Sequence, residues 1–86
     1  MLIKILDTKG FNIQLECNST DKLSSLLSKF EEKYKEKNPK AQIRTITFSY
    51  NGEMYSNEDY DKSLEELDIE DGCLISSSIY YNGGLI

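Results

Sequence analysis

The chain has 86 residues and a net charge of −5, which leaves room for one hydrophobic core and argues against a phosphate backbone as partner. It holds no histidine and only two cysteines, Cys17 and Cys73, so neither a Ser–His–Asp nor a Cys–His nucleophile can be assembled, and the cysteine spacing fits neither a zinc-ligand pair nor a C-x-x-C motif. A catalytic residue, a metal and a cofactor are therefore not expected, and no apolar run reaches the about 20 residues that a membrane-spanning helix needs.

Leu2 to Leu6 places Ile3 and Ile5 on one face of a short strand, and the run is too short for a secretory signal, so the cytoplasm or nucleus is the expected location. Asp7-Thr8-Lys9-Gly10 supplies turn chemistry. Over residues 11–17, Phe11, Ile13, Leu15 and Cys17 alternate with Asn12, Gln14 and Glu16, the mark of a half-buried strand that closes an N-terminal hairpin. Asn18-Ser19-Thr20-Asp21 then offers a cluster of helix-capping residues. Leu23, Leu26, Leu27, Phe30 and Tyr34 recur at the spacing of one helix face, predicting a helix over about 21–37 that ends near Asn38-Pro39. The lysines of this region, Lys22 to Lys40, are interleaved with Glu31, Glu32 and Glu36 and read as a solvated face.

Ile43 to Tyr50 is the next strand, with Ile46, Phe48 and Tyr50 on one face. Asn51-Gly52 is a two-residue hairpin signal leading into a short strand over 53–55. Residues 56–62 read as polar loop, and Ser63 to Asp71 as a compact helical turn burying Leu64, Leu67 and Ile69. Asp71-Gly72 turns the chain into a last strand over about 73–79. Its register is open between Leu74 and Ile75 inward, and Ile75 inward brings Ser77 with it, whose hydroxyl then needs a partner. The pattern gives an α+β domain over 1–81, one long helix covering one mixed sheet with the last strand parallel to the first, and a tail over 82–86.

This order resembles the ubiquitin family, whose fold is the β-grasp. Ile3, Ile5, Ile13, Leu15, Cys17, Leu23, Leu26 and Phe30 fall where ubiquitin keeps core residues, Phe48-Ser49-Tyr50-Asn51-Gly52 looks like its third strand and turn, and Ser63 to Ile69 looks like its turn before the last strand. Longer loops around the third strand are more like the SUMO branch. The resemblance implies a protein modifier, cut after Gly84 by a processing protease that removes Leu85-Ile86. It is then passed by activating and conjugating enzymes to target proteins through the glycine pair Gly83-Gly84, which suits a tail that must thread narrow channels. The alternative is an interaction module that is not conjugated, stand-alone or part of a longer protein, and a sulfur carrier ranks third. A monomer is expected in each case.

At the positions of ubiquitin's apolar patch stand Thr8, Ser49 and Ser78, all polar, and at two chain-building lysine positions Glu53 and Asp71, while Lys29 and Lys33 do match. SUMO-type modifiers are read by a peptide that adds a strand beside the second strand. The resemblance places that groove at Phe11, Ile13, Leu15, Leu27 and Lys33, with Leu27 also open to a purely core role. Tyr50, Tyr55, Tyr60, Tyr80 and Tyr81 are candidates for a partner surface or for edge packing.

Overall fold

The computed structural model describes residues 1–7, 10 and 12–81. Strand β1 (Leu2–Leu6) pairs antiparallel with β2 (Asn12–Glu16) in a register that sets Ile3 opposite Leu15 and Ile5 opposite Ile13. All four of these side chains are buried, because alternation along a strand sends every second residue to the same face. Helix α1 (Leu23–Lys37) lays Leu23, Leu26, Phe30 and Tyr34 on that face. The Phe30 ring meets Phe48 edge-on, with centroids 5.8 Å apart at 67°.

Strand β3 (Ile43–Tyr50) turns through Asn51 and Gly52, both at positive φ, into β4 (Glu53–Met54). Two consecutive left-handed residues are what a tight hairpin matching the right-handed strand twist requires. Strand β5 (Leu74–Tyr81) pairs parallel with β1 and antiparallel with β3, which gives a mixed five-stranded sheet in the order β2-β1-β5-β3-β4. The domain is thus α+β, a mixed sheet with one long helix across it.

The structure decides the register of β5 for Ile75, which is fully buried. Ser77 follows it inward, and its hydroxyl donates to the Leu6 carbonyl at 3.2 Å. Four elements differ from the sequence expectation. The helix N-cap is Lys22, without a side-chain cap. Asp21 instead accepts from the Asn18 N–H, and the first helical donor, Leu23 N–H, is satisfied by the Lys62 carbonyl at 3.0 Å. A backbone acceptor brought from 39 residues away by sequence number replaces the local cap. Residues Asn57–Asp61, read as loop, form a 3-10 helix held by a capping box between Ser56 and Asp59. Residues 64–68 make overlapping turns and no helix, with Asp68 at positive φ, while Leu64 and Ile69 are buried as expected. Finally, β5 continues through Tyr80 and Tyr81, which pair with Thr45 and Ile43.

Candidate functional site

β2 is one edge of the sheet, so among the described residues no strand lies beside its outer side. Which groups it presents follows from the ladder. Met1 and Cys17 exchange both backbone bonds, the Cys17 N–H to Met1 O at 2.9 Å and the Met1 amino group to Cys17 O at 2.5 Å. Hydrogen-bonded and non-bonded pairs alternate along an antiparallel ladder, so Leu15 and Ile13 also bond to β1 while Gln14 and Glu16 turn their N–H and C=O outward. The Glu16 carbonyl receives the Lys29 ammonium at 3.3 Å. The Gln14 N–H and C=O have no partner among the described residues.

The predicted groove residues separate in a way the sequence did not anticipate. Ile13 and Leu15 face α1 and belong to the core, and their backbone groups bond to β1, so they offer neither a side chain nor a main-chain group at the edge, which Gln14 and Glu16 supply. Lys29 lies on the β2 flank of α1, also 3.9 Å from Asp21, and Lys33 follows one helical turn later on the same flank, exposed. Leu27 is not with them. It lies on the other flank of the helix, lining a cavity with Ile46, Met54 and Tyr60. Phe11, Gly83, Gly84 and Thr8 lie outside the described residues.

The outer sheet face is rich in hydroxyls. Thr47 opposes Ser78 and Ser49 opposes Ser76, and alternation with buried Phe48, Ile75 and Ser77 turns these four side chains away from the helix. Leu74 and Tyr80 share that face, about half exposed at 49% and 51%. The tyrosines form no single surface. Tyr80 stands on the outer face, Tyr50, Tyr55 and Tyr60 pack partly buried near the β3–β4 end, and the Tyr81 hydroxyl bonds to that of Tyr34 under the helix. This last contact ties the end of β5 to α1.

The two cysteines are not paired. Cys17 is a core residue, and burial pushes its thiol above the usual range. Cys73 accepts the Glu70 N–H at 3.1 Å and lies 3.5 Å from the Tyr50 hydroxyl. Asp59 is held below the ordinary carboxylate range, chiefly by the Ser56 N–H and then by Lys62, which marks a cap and not a proton donor. Among the described residues no helix is long and apolar enough to cross a membrane, and no three metal-ligating side chains converge. Comparison with models of known protein families finds no match to this chain, and comparison with curated proteins finds none either.

Proposed function

We propose that this chain is a ubiquitin-like β-grasp protein that works by being bound, its β2 edge taking an extended segment of a partner as an added strand. The observation that carries the reading is the unpaired Gln14 N–H and C=O on an edge strand, flanked by helix lysines. An extended peptide offers acceptor and donor at matching spacing, and acidic residues beside its apolar run would meet Lys29 and Lys33. The β-grasp reading is supported by the strand order, by one helix crossing the sheet, and by β5 inserted parallel to β1. Ser49 and Ser78 on the outer face offer little apolar area, so a receptor built for an apolar patch gains little there.

The test replaces Gln14 by Pro. Proline removes the outward N–H and leaves the Ile13 and Leu15 bonds to β1 in place, which an edge strand tolerates. The probe is a synthetic peptide of four consecutive Val and Ile residues followed by acidic residues, titrated into isotope-labelled protein. The wild type should show shifts along 12–16, and Gln14→Pro should weaken binding by about tenfold or more with an unchanged far-UV spectrum. Equal affinity in the two proteins, or shifts that miss β2, would overturn the proposal.

A second reading, conjugation through Gly84, is favoured by the position of Gly83-Gly84 in the sequence, one residue beyond the end of β5. Processing would hydrolyse the Gly84–Leu85 bond; the freed carboxylate would be adenylated by ATP with loss of pyrophosphate, passed to an enzyme thiol with loss of AMP, and transferred to a lysine amine with release of that thiol. Three residues past Tyr81 reach only about 10 Å, so a deep enzyme channel requires Tyr80 and Tyr81 to leave β3 first. The expected result is a native protein ending at Gly84 and larger covalent species that vanish in Gly84→Ala. An intact Leu85-Ile86 in the native protein, with no larger species on an immunoblot, rejects conjugation and leaves the docking module.

A further inference from the structure

The sheet has a second open edge. β4 is two residues long, so among the described residues β3 is paired by a strand on its outer side only at Ser49 and Tyr50. Phe48 is closed by other means: its carbonyl accepts the Tyr55 N–H at 3.1 Å and its N–H donates to the Tyr60 hydroxyl at 2.9 Å. Those bonds show that the Phe48 backbone groups point away from β5, and by alternation the Ile46 groups do too. Among the described residues nothing pairs with the Ile46 N–H or C=O. The Ile46 side chain is buried, so only its backbone looks outward.

Beside that edge lies a cavity of about 580 Å³, lined by Leu27 from α1 and by Met54, Tyr55, Asn57 and Tyr60 across from it. Met54 is 66% exposed, the largest exposure among the large apolar side chains of the described residues. Arg44, which sits at the break in the β3–β5 register between Ile43 and Thr45, is exposed and makes no ion pair among the described residues. It is also the single arginine of a chain with net charge −5.

We infer that the Arg44–Ile46 edge of β3 is a second docking groove, occupied by an extended peptide that places one aliphatic side chain against Leu27 on the helix side of the sheet, another against Met54 on the outer side, and a carboxylate on Arg44. The free donor and acceptor of Ile46 select an extended backbone, since a main-chain segment supplies both complements on one residue. Leu27 and Met54 each select an apolar side chain, one on either side of the edge, and an unpaired guanidinium selects an acid, with which it forms a charge-assisted bond. This groove lies on the opposite flank of α1 from β2, so it is independent of the site proposed above.

Peptides selected from a randomised display library against the whole chain, then synthesised and titrated into isotope-labelled protein, test the inference. The expected result is a set of peptides, each with an aliphatic and an acidic residue, that shift the amides of Leu27, Arg44, Ile46, Met54 and Tyr60. Arg44→Glu and Met54→Glu alter exposed side chains and should each weaken binding about tenfold with the fold intact by circular dichroism. Methylating the peptide amide that faces Ile46 should abolish it. Failure to select any peptide, peptides that shift only the β2 amides, or a self-association in which two β3 edges pair would each overturn it.

Discussion

Replacing Phe30 by Ala is expected to cost about 3–5 kcal/mol, the usual penalty for deleting a buried aromatic ring. The whole domain, at this size, is worth only on the order of 5 kcal/mol. Phe30 is fully buried, edge-on to Phe48 and 6.2 Å from the Tyr34 ring, so it is the side chain that holds α1 against β3. Urea unfolding followed by circular dichroism should show a cooperative transition for the wild type and little or none for Phe30→Ala at 25 °C. Phe30→Leu, which keeps most of the volume, should lose less than the alanine variant. A loss below about 1 kcal/mol for the alanine variant would mean that the helix is not held there, since cavity costs of a ring this buried do not fall so low.

Alkali should unfold the protein at a pH that free tyrosine chemistry predicts poorly. Burial first, then the hydrogen bond to Tyr81 and the charges of Tyr81 and Asp7, push the Tyr34 hydroxyl up to about 12. Burial likewise pushes Tyr55 up to about 12. In the unfolded chain both ionise near about 10. For an acid whose folded pKa is raised, the fold holds the neutral form more tightly. The stabilisation is complete below pH 10 and is lost as pH climbs from about 10 to about 12. The loss is roughly 2–3 kcal/mol for well-buried Tyr34 at the top of that window, and less for Tyr55, which is partly exposed. Thermal midpoints should therefore fall steeply above pH 10, with the phenolate absorbance of Tyr34 and Tyr55 appearing only on unfolding. Six tyrosines titrating together near pH 10 with the fold intact would contradict this. The Tyr55 hydroxyl is buried with no hydrogen-bond partner among the described residues. Tyr55→Phe should therefore be neutral or stabilising, by up to about 1 kcal/mol, and should remove its share of the alkaline lag.

The periodic elements were legible because their signals are local. Alternation over Ile13, Leu15 and Cys17, and the helical spacing of Leu23, Leu26 and Phe30, each assign a face within one turn or one pleat, and the observed core contains all six. The Asn51-Gly52 hairpin was readable for the same reason, since two left-handed residues are a property of the residues themselves. The candidate site was less legible. That β2 would be reached through its backbone, with Ile13 and Leu15 buried, depends on a ladder phase that the Met1–Cys17 pair and the Lys4 N–H bond to Cys73 set.

Several choices were made by contacts between distant residues. Alternation alone could not say whether Leu74 or Ile75 turns inward. Ile75 wins because it is buried in the core and the Leu6 carbonyl is placed to receive the Ser77 hydroxyl. Helical spacing put Leu27 on the apolar side of α1 but left its flank undetermined, because the flank is set by how the whole helix lies across β3, a matter of packing and not of period. The length of β5 was decided in the same way: Tyr80 and Tyr81 stay in the sheet because Thr45, Ile43 and the Tyr34 hydroxyl are there to meet them. The chain thus carries the faces of its elements in its own pattern, while register, helix rotation and strand ends wait for partners that no local pattern names.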